Sequence, residues 1–281
     1  MRSLGVDVGG TKLLAVVVDA DGEVVGERKL PTPSGGAAIV AEVARLAADA
    51  EVDAVGLGVA GLLDLDGVLR IGANLPGVVD FPFAAALRDA LPGAAVAVDN
   101  DANCALRAEH RLGAAAGADE AVLVTFGTGI GGAVLTGGVL RRGANGFAGE
   151  PGHMVVDPSG PACPCGRKGC WERYASGAGV ARIGGVARGE DVMRAAADGD
   201  ERALAVWEEV GWWAALGIAN LVALLDPEVV VIGGGLVEAG ELLLGPVRRH
   251  YETIGVAATV RIEPAVLGER AGAIGAALLV G

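Results

Sequence analysis

The chain has 281 residues, enough for about two domains at ~150 residues each. Hydrophobic residues make up 52%, charged residues 20% and aromatics only 4%, which excludes bulk disorder and supports a core packed through small side chains. The formal charge is −13 with no basic block, so a nucleic-acid groove is excluded and any phosphate must be held by backbone amides and a metal ion.

Residues 4–8 read as an apolar strand ending at Gly9 and Gly10. A second apolar run, 13–19, precedes Asp21 and Gly22, a hairpin signal before a third strand at 23–29. Helical periodicity covers 37–49, and a buried strand at 55–59 closes on Ala60 and Gly61. A short helix is expected over Phe83–Ala90, ended by Pro92 and Gly93. The strand at 96–98 runs into Asp99, Asn100 and Asp101, and a helix follows over 102–112. This alternation argues for an α/β fold with a mixed sheet.

The second half repeats the opening. A strand at 121–126 meets Gly127, Thr128 and Gly129, a second strand covers 133–136, and Gly137 with Gly138 makes the hairpin turn. The offset is 12 residues from Gly9 to Asp21 and 11 from Gly127 to Gly138. The run 229–232 into Gly233, Gly234 and Gly235 echoes 55–59 into Ala60 and Gly61. These parallels suggest a duplicated α/β unit, although glycine-rich hairpins can also resemble one another by chance. The uncharged run 121–140 is long enough for a membrane helix, but its glycines and threonines fit two buried strands better. A helix over Glu201–Leu225 ends at Asp226 and Pro227. No leader is expected, because Met1 leads almost directly into the first strand. The chain therefore reads as cytoplasmic, with no membrane partner.

Several motifs carry chemistry. The Asp7–Lys12 stretch and the Gly127–Gly132 stretch each lie between two strands, where glycines let amides approach an anion. Asp7 could hold a hydrated Mg²⁺ beside the phosphates. Either loop alone reads equally as a tight turn; their matched positions favour phosphate. Gly127, Gly129 and Gly132 also spell a dinucleotide fingerprint, but a strand rather than a helix is expected next, which contradicts that fold. In the Asp99, Asn100, Asp101 triplet one residue is expected to cap the helix. Asp101 can serve as a base toward a substrate hydroxyl, with Asn100 donating to another. His153, Cys163, Cys165 and Cys170 make a Cys₃His set suited to a closed structural zinc; a reduced, metal-free loop is the alternative. Glu150 and Glu172 bracket that set and read either as hydroxyl acceptors or as surface acids. Gly233, Gly234 and Gly235 offer a flat surface for adenine or a simple strand-to-helix turn. Trp207, Trp212 and Trp213 read as packing or interface residues, and Cys104 as a buried apolar one.

Together these motifs resemble the ROK family (repressors, open reading frames, kinases), and within it the bacterial ATP-dependent glucokinases. The match runs through D-V-G-G-T-K at 7–12, G-V-A-G at 58–61, D-N-D-A-N at 99–103 and T-F-G-T-G-I-G-G at 125–132. It continues with G-E-P-G-H at 149–153, C-P-C-G-R-K-G-C-W-E at 163–172 and V-V-V-I-G-G-G at 229–235. The resemblance implies a duplicated actin-like ATPase (ribonuclease H-like) fold with two lobes around a central cleft. The small lobe would span 1–112, with a C-terminal helix at 271–281 returning to it. The large lobe would span 113–270 with the zinc-binding insertion.

The same resemblance implies transfer of the γ-phosphoryl of ATP to the 6-hydroxyl of glucose, with Asp101 as base. Asn100, Asp101, Glu150, His153, Glu172 and Gly61 would bind the sugar. Asp7, Gly9, Gly10, Thr11, Lys12, Gly127, Thr128, Gly129, Ile130 and Gly131 would cradle the phosphates of Mg-ATP. Gly233, Gly234 and Gly235 would face adenosine. His153 would give one ring nitrogen to zinc, beside Cys163, Cys165 and Cys170, and the other to the sugar. A homodimer or homotetramer is expected. A kinase for another hexose or for N-acetylmannosamine is the alternative. A sugar-sensing transcriptional regulator is disfavoured, since only six residues precede Asp7. Two departures stand out: Val78 follows the N-L-P-G of 74–77 where the family often has Trp, and the segment between 175 and 201 is short.

Overall fold

The computed structural model describes residues 2–72, 75, 77–254 and 260–281. The chain forms two units: Met1–Gly117 with Leu140–Ala148 and Val266–Gly281, and Ala118–Val139 with Gly149–Ala265. In the first unit β1 (Ser3–Val8), β2 (Lys12–Val18) and β3 (Val24–Pro31) form an antiparallel meander. Helix α1 (Gly36–Ala50) leads to β4 (Ala54–Val59), which runs parallel to β1. Three short strands, β5 (Leu62–Leu63), β6 (Leu69–Ile71) and β7 (Val79–Phe81), make a small separate sheet that carries no periodic signal. Then come α2 (Phe83–Ala90), β8 (Ala95–Asn100) parallel to β4, and α3 (Asp101–Leu112). Strand β8 is longer than the 96–98 expected, so Asp99 and Asn100 belong to its end. Ala73, Asn74 and Pro76, in and beside the N-L-P-G motif, lie outside the described residues; Val78 beyond them is buried.

Alternation along β2 explains why the meander is apolar on both faces. Leu13 and Ala15 join one core with α1 and α2, while Leu14, Val16 and Val18 join another with Ala108, Ala273 and Ile274.

The second unit holds β9 (Ala121–Phe126), β10 (Ile130–Thr136) and edge strand β11 (Val139–Leu140), then α4 (Glu172–Ala175), α5 (Gly177–Gly184), α6 (Gly189–Ala197) and α7 (Glu201–Leu225). Strand β12 (Val229–Gly233), α8 (Glu241–Ile254) and β13 (Arg261–Pro264) complete it, and α9 (Ala271–Ala277) lies in the first unit. The sheet orders are β3-β2-β1-β4-β8 and β11-β10-β9-β12-β13, the same order of succession twice, as the repeated hairpin spacing suggests. The glycine fingerprint at 127–132 is followed by strand β10, not a helix, so no dinucleotide fold forms there. Helix α7 is long and apolar enough to cross a membrane by length and composition. Its Val206, Trp207, Val210, Ala214, Ile218 and Leu221 instead fill the core of this unit. Asp226 ends the helix in the left-handed conformation, at φ 45°.

Helix α9 packs against the first sheet at backbone distance. A Cβ at Gly5 would lie 1.9 Å from the Ala273 carbonyl, and one at Gly56 would lie 1.7 Å from the Ala276 carbonyl. These positions accept glycine alone.

Candidate active site

In the first unit the strand tips bring acids together. Asp7 of β1, Gly58 of β4 and Asp99 of β8 are in register. Gly58 leaves room for the start of α3: a Cβ there would stand 3.3 Å from Cys104 Sγ and 3.6 Å from the Asp101 Cα. Asn100 is the N-cap, its Oδ1 accepting from the amides of Ala102 at 2.8 Å and Asn103 at 3.1 Å. Its Nδ2 donates to the Gly61 carbonyl at 3.2 Å, so Gly61 and Asn100 adjoin.

Asp101 is the first helical residue. Burial pushes its pKa up, and the amides of Ala102 and of Asp101 itself, with the Asn100 side chain, pull it back. Asp7 is raised to about 7, first by burial and then by the Asp101 charge, with Lys12 opposing. Asp7, desolvated with only Lys12 opposing, is a carboxylate suited to a divalent cation. Gly9, Gly10 and Thr11 make the turn from β1 to β2, closed by Gly9 N–H to the Lys12 carbonyl at 3.0 Å. The Lys12 ammonium is paired with Glu269 at 2.7 Å.

In the second unit the turn between β9 and β10 consists of Gly127, Thr128 and Gly129. Ile130 and Gly131 are strand residues, paired with Phe126 and Thr125. The Gly127 carbonyl accepts from Gly177 N–H at 2.8 Å, which ties the turn to the start of α5. Gly127, Thr128, Ala178, Val180, Met193, Trp207, Gly235 and Leu236 line part of a cavity of about 590 Å³. Its walls are mostly apolar and its size suits a nucleoside. Gly235 is open on its Cβ side, whereas a Cβ at Gly234 would lie 2.4 Å from the Phe126 carbonyl. Trp207 is thus both a core residue, 2% exposed, and a cavity wall. Trp213 stacks on Tyr174 with centroids 4.0 Å apart, while Trp212 is partly exposed and Cys104 is buried.

The insertion brings His153, Cys163, Cys165 and Cys170 together, their ligand atoms all within 4.8 Å of one another. Cys163 Sγ lies 3.9 Å from His153 Nδ1 and Cys165 Sγ lies 3.5 Å from Cys170 Sγ. A tetrahedron with metal–sulfur bonds of ~2.3 Å and metal–nitrogen bonds of ~2.0 Å has edges of about 3.5–3.8 Å, so the donor set fits zinc. Cys163 donates to Glu172 Oε1 at 3.0 Å, and its thiol is pushed up, mainly by burial. Glu172 opens α4 directly after Trp171, which is fully buried and donates from Nε1 to the Trp213 carbonyl at 2.7 Å. Glu150 precedes the single turn Pro151–His153, which places it three residues before the His153 ligand.

Two features escape sequence reading. Asp99 is buried and ion-paired with Arg142, 43 positions away. Glu109 is fully buried and accepts from Ala114 N–H at 2.8 Å and Leu267 N–H at 2.9 Å. Neither partner lies at a periodic spacing. An acid on an otherwise apolar helical face at 109 was the one available signal.

Residues 3–281 match the ROK family, and the chain belongs to it. The fold is accordingly the actin-like ATPase fold. A glucokinase of Halalkalibacterium halodurans is 38% identical over 99% of this chain and 94% of its own length. An N-acetylmannosamine kinase of Escherichia coli is 36% identical over 99% of this chain and 98% of its own. The solved structure of a ROK family glucokinase from Streptomyces griseus, in complex with glucose and AMPPNP, superposes with a TM-score of 0.88 at 35% identity, covering 100% of this chain and 99% of that one.

Proposed function

We propose that this protein is a glucokinase that transfers the γ-phosphoryl of ATP to the 6-hydroxyl of glucose. The observation that carries the reading is Asp101, a desolvated carboxylate in the first turn of α3, beside the N-cap Asn100. In the reaction the sugar hydroxyl gives its proton to Asp101 as its oxygen bonds to the γ-phosphorus, and the bond from that phosphorus to the β–γ bridging oxygen breaks to release ADP. The transition state is loose, so most of the work is positioning and charge stabilisation. Amides of the turns at Gly9–Thr11 and Gly127–Gly129 would cradle the phosphates, and the cavity beside Gly235 would take the nucleoside. Asp7 would hold the Mg²⁺ of Mg-ATP, which supplies charge neutralisation on the phosphates.

Asn100, Glu150, His153 and Glu172 bind sugar hydroxyls, with Gly61 beside Asn100. Because Nδ1 of His153 faces Cys163, the Nε2 nitrogen is the one left for sugar. Zinc held by His153, Cys163, Cys165 and Cys170 would be structural: four protein donors leave no open position for an activated water. The working protein is a cytoplasmic homodimer or homotetramer.

A second reading, N-acetylmannosamine kinase, is favoured by the 36% identical relative. The two share hydroxyl-binding residues and differ in pocket shape. Coupled ADP-release kinetics over glucose, mannose, N-acetylglucosamine and N-acetylmannosamine separate them. Highest kcat/KM with glucose is expected; highest kcat/KM with N-acetylmannosamine moves the assignment, and no turnover with any sugar overturns the kinase reading.

A further inference from the structure

Asp99 is the acid of the triplet that the proposed reaction leaves unused. It is 2% exposed, and it hydrogen-bonds to Asn100 and Asn103, on either side of Asp101 in the chain, and to Arg142. Its Oδ1 accepts from the Asn100 backbone N–H at 2.9 Å and from Asn103 Nδ2 at 3.0 Å. Its Oδ2 accepts from Arg142 Nε at 2.9 Å and also from the same guanidinium's Nη2. Two prongs of the guanidinium fork thus converge on one carboxylate oxygen, a charge-assisted contact. Arg142 lies in the Leu140–Ala148 segment of the same unit. That segment is itself pinned: Ala148 N–H donates to the Arg142 carbonyl at 3.0 Å, and a Cβ at Gly146 would lie 2.5 Å from the Leu63 carbonyl.

We propose that Arg142 is a positioning residue for phosphoryl transfer: by clamping Asp99 it fixes Asn100 on one side of Asp101 and Asn103 on the other, and so aims the Asp101 carboxylate. The inference rests on Asp101 being the base. Asn100 and Asn103 are held at both ends of a single turn, so Asp101 and Ala102 between them have little freedom left. A Lys at 142 would keep the charge but lose the fork.

The test is steady-state kinetics with glucose and ATP on Arg142→Met, Arg142→Lys, Asp99→Asn and, as reference, Asp101→Asn. Arg142→Met should lose about 10–100-fold in kcat with KM for ATP within about threefold, and Arg142→Lys should recover part of it. If Arg142→Met does not fold, the near-isosteric Asp99→Asn and the charge-conserving Arg142→Lys carry the test, and each should lower kcat with KM for ATP little changed. Both keeping wild-type kcat, while Asp101→Asn is inactive, overturns the inference alone. An active Asp101→Asn overturns the reading of Asp101 and this inference with it.

Discussion

Gly129 and Glu172 are close enough that a side chain on one would collide with the other: a Cβ at residue 129 would stand 2.7 Å from Glu172 Oε2. The turn proposed to take the phosphates and the acid proposed to bind sugar thus share one space within the second unit. The clash is with the tip of a flexible side chain, so Gly129→Ala should fold and melt within a few degrees of wild type. The displaced carboxylate should raise KM for glucose about tenfold. Steady-state kinetics beside a thermal melt check both halves.

The raised pKa of Asp7 makes stability depend on pH. Burial and the Asp101 charge hold its carboxyl at about 7 in the folded chain, well above the ordinary carboxylate value of the unfolded one. Between those values the folded state binds the extra proton, so the Asp7 contribution is full below the unfolded value and is lost as pH rises toward 7. Each pH unit of that interval is worth at most about 1.4 kcal/mol. Asp7→Asn should match wild type near pH 4 and melt progressively higher than wild type up to pH 8, in the absence of nucleotide and Mg²⁺. A constant difference across that range contradicts the account.

Zinc is expected at one ion per chain. Cys165→Ser should lose the ion and weaken glucose binding at least tenfold, because His153 and Glu172 lie within the loop that the metal fixes. Nucleotide affinity should change far less, since the cavity by Gly127 and Gly235 is built from α5, α6 and α7. Metal analysis and calorimetric titration with each ligand are the measurements.

Trp207 should report the cavity proposed for the nucleotide. Its ring is a wall of that space, so ATP binding should change indole emission in wild type. In Trp207→Phe that change should vanish while Trp171, Trp212 and Trp213 still emit. An unchanged response places the nucleotide elsewhere.

How much of this was legible beforehand follows from how local each signal is. Glycine turns at matched spacing disclosed the duplication, because a strand, a turn and a hairpin are all set by neighbouring residues. The Cys₃His cluster was legible for the same reason: His153 to Cys170 is one short loop. The sheet of β5, β6 and β7 was not, as strands of two or three residues carry no period. Helices α5 and α6 were hidden by the glycines that begin and end them, at 177, 184, 185 and 189. The Asp99–Arg142 pair joins positions 43 apart, and only the folded chain brings them together. Asn100 shows a third case: the cap is seen, and the proposed role as a sugar donor is compatible with it, because Oδ1 serves the helix while Nδ2 lies by Gly61.

The central claim is that Asp101 takes the proton from the sugar hydroxyl. Asp101→Asn keeps the shape and removes the acceptor, so kcat with glucose and ATP, read beside glucose affinity by calorimetry, tests it most directly. The account predicts a kcat loss of about 10²–10⁴-fold with glucose affinity within about threefold of wild type. Turnover within tenfold of wild type in a folded Asp101→Asn protein would contradict it.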